Sequence, residues 1–256
     1  MFKIIICMIA GLGAGLGTGF AGMSAAAVIS PMLITFLGID PYMAVGIALA
    51  SDVLASAASA VTYGKNKNID IKNGIIMMIS VLCFTTVDSY VASIVPKTTM
   101  GNFSVFMTLL LGIKFIIKPV VKPKKRFESA TVKQKAIRSV ICGSLVGFIC
   151  GFVGAGGGMM MLLVLTSVLG YELKTAVGTS VFIMSATALT GAASHFAIGG
   201  MPDTEALAIC VISTLVFAQI AAVFANKASP KTLNRITGAI LVILGAAILA
   251  VNYFGK

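Results

Sequence analysis

Residues 143–158 read GSLVGFICGFVGAGGG, and residues 11–26 read GLGAGLGTGFAGMSAA. Glycines recur at the same spacing in both stretches, so that positions 11, 15, 19 and 22 correspond to positions 143, 147, 151 and 154. The offset stays constant without a gap as far as residues 44–46, which read AVG like residues 176–178. Further along, the sequence PKT at 96–98 recurs at 230–232, slightly later than this offset predicts. Such self-similarity over long segments indicates an internal duplication.

Composition places the chain in a membrane. Hydrophobic residues make up 58% of its 256 residues and charged residues only 11%, whereas an average soluble domain has about 25% charged residues. Apolar runs of about 20 residues recur along the chain, which is the length that crosses a bilayer as a helix. A β-barrel would need alternating strands of about ten residues, and the sequence lacks them. We therefore predict an all-α polytopic protein of the cell membrane with about eight to ten hydrophobic segments.

The net charge of +11 is unevenly distributed, because eight of the 19 basic residues lie between Lys118 and Arg138. Basic loop clusters of this kind are typical of the cytoplasmic side of membrane proteins and argue against a nucleic-acid partner. We predict a first transmembrane repeat over 1–121, a basic cytoplasmic linker over 122–136 and a second repeat over 137–256.

The first apolar segment, residues 3–38, is too long for one span. As a straight helix it would extend about 54 Å, far beyond a hydrocarbon core of about 30 Å. We predict a break at Gly19–Ser24, with the two helical pieces forming either a hairpin or a broken span. The same break is expected between 137–155 and 157–170. The turn that follows residues 3–38 contains Pro41, which suits the first position of the next helix.

The distribution of Lys and Arg bears on how the halves are related. Lys114 falls inside a predicted span and is left out of the count. If each half crosses the membrane an odd number of times with the N-terminus outside, 15 of the other 18 basic residues are cytoplasmic and three are external. An even number of crossings with the N-terminus inside gives 13 and five. Both arrangements obey the positive-inside rule, and the first obeys it better. We therefore favour inverted repeats, with parallel repeats as the open alternative.

Several stretches of the second half together resemble the TauE/SafE-type sulfite exporters, a family of membrane permeases. They are GFVGAGGG at 151–158, LG at 169–170, AVGTS at 176–180, GAASH at 191–195 and GGMPD at 199–203. The resemblance covers essentially the whole chain. The first half departs from it, with MSAA at 23–26 opposite AGGG and GIA at 46–48 opposite GTS. The resemblance implies transport of sulfite, sulfonates, thiosulfate or related small anions.

Adjacent glycines before a helix expose backbone N–H groups, and the helix dipole adds positive potential there. Such a place binds an anion without a charged side chain. Hydroxyl groups nearby would add donors. For the glycines the alternative is that they only allow close helix packing. We favour this alternative for Gly11, Gly15 and Gly19 and for Gly143, Gly147 and Gly151. For the hydroxyls the alternative is that they bond to their own backbone. The predicted substrate-binding residues are Gly154, Gly156, Gly157, Gly158, Thr179 and Ser180, with Gly22, Ser24 and Gly46 across from them.

Three titratable residues fall within predicted spans: Asp52, Asp88 and His195. Such groups are costly in a membrane and usually face the bundle interior or a water path, so each is a candidate for proton coupling. For His195 the alternative is a polar ring at a helix end beside interfacial water. No His/Cys metal cluster, Walker motif or Ser-His-Asp order is visible, so we predict no cofactor, no metal and no enzyme activity.

These observations predict a secondary transporter that moves a small anion by alternating access. The alternatives are a passive anion channel and a membrane subunit of a larger complex. The expected partners are the anionic substrate, the lipid bilayer and a coupling proton or cation. The exact substrate, the direction of transport, the coupling ion and the oligomeric state are left open by the sequence.

Overall fold

The computed structural model describes residues 1–92, 109–110, 113–117, 132–153 and 157–254. Within these ranges the chain is almost entirely helical and contains no β-strand, which confirms the all-α prediction. We number the helices of this described part in chain order, leaving out the short helical pieces at 109–110 and 113–117. They are α1 Phe2–Ala21, α2 Ala26–Leu37, α3 Pro41–Lys65, α4 Ile71–Ala92, α5 Val132–Val153, α6 Gly157–Leu163 with a π-helical turn Val164–Val168, α7 Leu173–Gly199, α8 Thr204–Lys227 and α9 Pro230–Phe254.

Among the described residues, five helices are long and apolar enough to cross a membrane. These segments are Phe2–Ala21, Pro41–Lys65, Leu173–Ala197, Thr204–Lys227 and Pro230–Ala250. The predicted span at 102–120 and the linker at 122–136 lie mostly outside the described residues.

The predicted break in the first segment is confirmed. Helix α1 ends at Ala21, and Gly22 adopts a left-handed conformation with φ 60°, which costs glycine no steric strain. The N–H groups of Gly22 and Met23 bond back to carbonyls of α1, as in a Schellman-type helix end. Helix α2 then runs back along α1, with Val28 packed beside Gly13. Of the two arrangements that the sequence left open, the first break is a hairpin.

The start of α3 also follows the prediction. Pro41 is its first residue, and Asp40 accepts hydrogen bonds from the N–H groups of Tyr42 and Met43 at 3.0 and 3.2 Å. A proline lacks the N–H that would be unsatisfied there, and an aspartate caps the next ones. This fixes where the chain leaves the hairpin and enters the longest helix of the first half.

Glycines of α1 allow close packing against α8. A methyl group on Gly15 would lie 2.6 Å from the carbonyl oxygen of Thr214, and one on Gly19 would lie 2.5 Å from that of Ala218. A Cβ atom cannot come that close to a carbonyl oxygen, so only glycine fits at these two positions. The two helices run in the same direction, since Gly11 meets Ser213 two turns before Gly19 meets Ala221.

Helix α5 packs on α4 in the same way. A methyl group on Gly143 would lie 2.9 Å from the Cβ of Ser80, and one on Gly147 would lie 3.0 Å from the Cβ of Phe84. The neighbours of Gly11 and Gly15 are again a serine and a phenylalanine, Ser213 and Phe217, which are the second-half counterparts of Ser80 and Phe84. Each glycine-rich helix therefore packs on a helix of the other half, and at these four glycines the packing role is what the structure shows.

Helices α3 and α7, which occupy equivalent places in the two halves, pack against each other and run in opposite directions. Gly46 near the start of α3 contacts His195 near the end of α7, and Gly178 near the start of α7 contacts Tyr63 near the end of α3. The second contact repeats the first, because Gly178 corresponds to Gly46 and His195 to Tyr63 at the offset of the repeat.

Asp203 joins the N-terminal ends of α1 and α8. Its carboxylate accepts hydrogen bonds from Lys3 Nζ at 2.6 and 2.8 Å and from the N–H of Ala206 at 3.1 Å. These bonds hold the pKa of Asp203 below its ordinary value, and the bond from Lys3 contributes most. A carboxyl with a lowered folded-state pKa stabilises the fold above its unfolded pKa, and that stability is lost as the pH falls through the folded pKa.

Asp203→Asn should therefore lower the free energy of unfolding at neutral pH by a few tenths of a kcal/mol, a small value because the ion pair is exposed. Asparagine keeps the helix cap, so the difference reports mainly the charge. Thermal unfolding in detergent at neutral and acid pH measures it, with Asp40→Asn as the matched cap variant. A stability difference that persists in acid, where the wild-type carboxyl is also neutral, would contradict this account.

Candidate functional site

The first break closes around a buried carboxylate. Asp52 of α3 is 0% exposed, and its Oδ2 accepts a hydrogen bond from Ser24 Oγ at 2.8 Å. Its Oδ1 accepts one from Ser56 Oγ at 2.7 Å, one helical turn further along α3. All of these donors are neutral groups.

The local sequence explains why α2 reaches Asp52. Residues 24–27 read SAAA, and Ala25 and Ala26 are 0% exposed, so the start of α2 lies directly on α3 with no bulky side chain between. The N-terminal end of a helix carries partial positive charge. The start of α2 therefore attracts the Asp52 carboxyl group when that group is ionised.

The carbonyl end of α1 is also satisfied by side chains from distant helices. Tyr63 OH donates to the carbonyl oxygen of Gly19 at 2.8 Å, and Thr237 Oγ1 donates to that of Phe20 at 3.1 Å. Thr18 Oγ1 donates to the carbonyl oxygen of Met23 at 2.9 Å. The last carbonyls of a helix have no partner within the helix, so these three hydroxyls hold the break in its shape.

The second half meets the first half at this break. Ser180 Oγ of α7 donates to the carbonyl oxygen of Gly22 at 2.9 Å. Gly158, at the start of α6, is so close that a methyl group on it would lie 2.5 Å from the backbone nitrogen of Ser24 and 2.8 Å from Met184 Sδ. The structure thus brings together four of the predicted site residues: Gly22, Ser24, Gly158 and Ser180. Asp52 bonds directly to one of them.

The two halves bring different side chains to this meeting point. At the constant offset of the repeat, Met184 stands in the second half where Asp52 stands in the first. Met184 Sδ lies 3.8 Å from Ser180 Oγ. A carboxyl group bonds to Ser24 at the first break, whereas an uncharged thioether lies beside Gly158 at the start of α6. The sequence predicted Asp52 as a functional residue but not Ser56, Tyr63, Thr237 or Met184. Of these four, only Met184 has a signal in the sequence, because it lies at the offset of the repeat from Asp52.

Thr179 is buried beside Ser180, but its bond is to another part of the protein. Its Oγ1 accepts a hydrogen bond from the N–H of Asp70 at 3.1 Å, in the loop between α3 and α4. Tyr171 OH donates to Asp70 Oδ2 at 2.8 Å. Burial is the main cause that raises the pKa of Tyr171, and the negative charge of Asp70 raises it further. Thr179 therefore ties α7 to this loop while its own hydroxyl proton can still be donated.

Gly46 and His195 lie away from the break. A methyl group on Gly46 would lie 3.0 Å from Phe196 and 3.2 Å from the Cβ of His195. The His195 ring stacks on Tyr42 with centroids 4.3 Å apart, and its Nδ1 lies 2.9 Å from the carbonyl oxygen of Gly191. Tyr42 precedes Asp52 by ten residues, or about 15 Å along α3. These residues form a separate contact between α3 and α7.

Some predicted residues lie outside the described part. Gly154 and Gly156 are outside the described residues, and Gly157 is described only as the first residue of α6. Asp88 is a backbone position of α4 whose side chain is outside the description. Within the described residues, no group of three or more His, Cys, Asp or Glu side chains is placed to hold a metal ion.

The family model described as Sulfite exporter TauE/SafE matches residues 7–248. The chain belongs to the TauE/SafE family. One relative is the probable membrane transporter protein YunE of Bacillus subtilis (strain 168), which is 26% identical, with 98% of this chain and 99% of YunE covered. The probable membrane transporter protein MJ0441 of Methanocaldococcus jannaschii is also 26% identical, with 92% of this chain and 88% of MJ0441 covered.

A third relative, the probable membrane transporter protein YdhB of Bacillus subtilis (strain 168), is 24% identical, with 83% of this chain and 86% of YdhB covered. The TauE/SafE match, these relatives and the apolar helices identify a multi-pass membrane transporter. The prediction of the family and of the membrane location is confirmed.

Proposed function

We propose that this TauE/SafE member is a secondary transporter for a small anion, with a sulfur-containing oxyanion or sulfonate such as sulfite, sulfoacetate or thiosulfate as substrate. The observation that carries the proposal is the meeting of the first break with the start of α6, where Gly158 touches Ser24. Irregular backbone at membrane depth is tolerated only inside protein or beside a cavity, and transporters place their substrates there. The proposal assigns no catalytic step to the chain.

The anion would be held by backbone N–H groups and hydroxyls rather than by a cation. The proposed residues are Gly154, Gly156, Gly157, Gly158, Thr179 and Ser180, with Gly22 and Ser24 on the facing side; Gly46 is left out because it packs on His195 and Phe196 away from the break. In this structure the hydroxyl protons of Ser24 and Ser180 are donated to Asp52 and Gly22. Substrate binding at these hydroxyls therefore requires them to exchange a protein acceptor for the anion, which a movement of one half against the other would allow.

Inverted repeats would supply that movement. The opposite directions of α3 and α7 support a two-fold axis between them, and the repetition of the Gly46–His195 contact as Gly178–Tyr63 supports the same axis. If these helices cross the bilayer, the axis lies in the membrane plane. Inverted repeats of this kind are a known basis of alternating access, in which the two halves rock around a fixed site.

The basic residues indicate which end faces the cytoplasm. Helix α3 ends, and α4 and α7 begin, at the same end of the bundle as the C-terminus of α8. Lys174 Nζ bonds to the carbonyl oxygen of Asn226 at 2.9 Å, and Asn68 bonds to the Asn226 side chain at 2.7 Å. The basic side chains near this end of the described structure include Lys65, Lys67, Lys72, Lys174, Lys227, Lys231 and Arg235. By the positive-inside rule this end is cytoplasmic, which puts the N-terminus outside.

Counterflow in proteoliposomes tests the proposed function. Vesicles that contain the purified protein and are preloaded with unlabelled sulfite, sulfoacetate or thiosulfate should transiently accumulate the labelled anion, and the rate should saturate. A thermal-shift screen with the same anions should raise the unfolding temperature for those that bind. Vesicles without protein are the control. Absence of both counterflow and thermal shift for every small oxyanion would refute anion transport, and ion conductance without counterflow would indicate a passive channel.

A further inference from the structure

We propose that Asp52 is a proton site and that the anion binds only when its carboxyl is neutral, so that each anion is transported together with one proton. This inference rests on the proposed anion transport and goes beyond it by naming the coupling ion, the residue and the stoichiometry.

Asp52 has hydrogen bonds but no counter-charge in the described structure. Its partners are two hydroxyl groups, and its side chain is 0% exposed. Neutral donors of this kind can hold a carboxylate, and a hydroxyl can turn to accept a proton from a carboxylic acid. The site therefore suits both protonation states of Asp52 without a change of partners.

The titratable groups on the elements packed around Asp52 are engaged elsewhere. On α3 itself, Tyr63 bonds to Gly19 and Tyr42 stacks on His195 of α7. Lys3 of α1 pairs with Asp203 and with Glu205 of α8, and Lys174 of α7 bonds to Asn226. Cys210 of α8 donates to the carbonyl oxygen of Cys7 of α1. Lys227 lies at the end of α8. Helix α2 contains no titratable side chain. Among the described residues, none of these groups interacts with the Asp52 carboxyl.

An anion bound where Ser24 of the first break meets Gly158 at the start of α6 would arrive beside this carboxylate. Ser24 is the link, because its Oγ bonds to Asp52 while its backbone nitrogen faces Gly158. Two negative charges in contact inside a membrane protein, with neutral donors only, disfavour each other strongly. Protonation of Asp52 removes one of them. Binding of the anion and binding of the proton are then coupled, and each raises the affinity for the other.

The start of α6 has no such obstacle. Met184 occupies the position equivalent to Asp52, and its Sδ lies beside Gly158 and Ser180. One half therefore brings a titratable carboxyl group to the meeting point, and the other brings an uncharged thioether. We assign the proton to Asp52 and the anion to the side of Gly158 and Ser180, with Ser24 and Gly158 as the point of contact between the two sites.

The experiment measures the pH dependence of thiosulfate binding to the full-length protein in detergent, since thiosulfate keeps its charge across the neutral range. In wild type the Kd should rise about tenfold for each pH unit above the titration of Asp52, because one proton is taken up with each anion. In Asp52→Asn, a neutral side chain of the same shape, the Kd should be independent of pH. Ser59→Ala, an equally buried position on the same helix, should keep the wild-type pH dependence.

Proton movement is measured in parallel with a pH-sensitive dye inside proteoliposomes. An inward thiosulfate gradient should acidify the lumen with wild type and with Ser59→Ala, but not with Asp52→Asn. Should Asp52→Asn fail to fold, Ser56→Ala provides a second variant. It removes one donor to the carboxylate, so Asp52 should hold its proton to a higher pH and the rise in Kd should begin at a higher pH than in wild type.

The outcomes separate this inference from the proposed function. If no sulfur oxyanion or sulfonate binds to wild type at any pH, both are rejected. If the anion binds but its Kd does not change with pH, depends on sodium instead, or keeps its pH dependence in Asp52→Asn, the proton assignment is overturned while anion transport stands. The same holds if Ser56→Ala titrates like wild type.

Discussion

Gly178→Ala should destabilise the fold by about 3 kcal/mol or more, because added core atoms that cannot be accommodated cost about 1–3 kcal/mol and sometimes more. The new methyl group would overlap the carbonyl oxygen of Asn68 and lie 2.9 Å from the Cβ of Tyr63. Neither neighbour can move easily. The N–H of Asn68 donates to the carbonyl oxygen of Tyr63 at 2.9 Å, and its side chain bonds to Asn226.

Thermal or denaturant unfolding of the purified protein in detergent measures this loss. Gly64→Ala is the matched control, since it adds the same methyl group in α3 with its nearest neighbour, a flexible Ile69 side-chain end, at 3.6 Å. That variant should be neutral or gain up to about 1 kcal/mol from helix propensity. Equal stability of the two variants would mean that α7 does not approach the α3–α4 loop as closely as described.

Gly158→Ala should reduce anion transport and anion affinity at least about tenfold, equivalent to about 1.4 kcal/mol. Its methyl group would lie 2.5 Å from the backbone nitrogen of Ser24 and 3.0 Å from the carbonyl oxygen of Gly22. Backbone atoms cannot rotate out of the way as a flexible side chain does, so the start of α6 and the first break must move apart. The proposed site would then lose its geometry even though no donor is removed.

Counterflow and the anion-induced thermal shift are both measured for this variant, so that loss of binding is distinguished from loss of fold. Gly191→Ala on α7 is the matched control. Its methyl group would meet only the flexible end of Leu49, at 3.0 Å. We expect Gly191→Ala to transport at close to the wild-type rate. Wild-type affinity and rate in Gly158→Ala would show that the anion does not bind where Gly158 meets Ser24.

Local features of the structure could be predicted because their causes are local. Gly22 ends α1 in a left-handed conformation that favours glycine, and Pro41 with Asp40 begins α3. These residue types act through their own backbone preferences or through the next two or three N–H groups. The break and the helix start were therefore readable without knowledge of any neighbour.

The partners of the candidate site could not be predicted in the same way. Ser180 was expected to face an anion, yet its hydroxyl proton is donated to Gly22 in the other half of the chain. Gly46 was expected opposite the substrate, yet it packs on His195 and Phe196. A hydroxyl or a glycine has the same local signature in either role, so only the surrounding helices decide between them.

By itself the sequence determined the membrane class, the duplication, the broken first segment and the family, because hydrophobicity, repeated spacing and turn residues are properties of the chain alone. The tertiary structure decided that α1 packs on α8 and α5 on α4, that α3 and α7 run in opposite directions, and that Asp52 closes the first break while Met184 lies beside Gly158 and Ser180. Those choices depend on how surfaces far apart in the chain fit each other at close-packed density. Fit of that kind is not encoded in any single stretch.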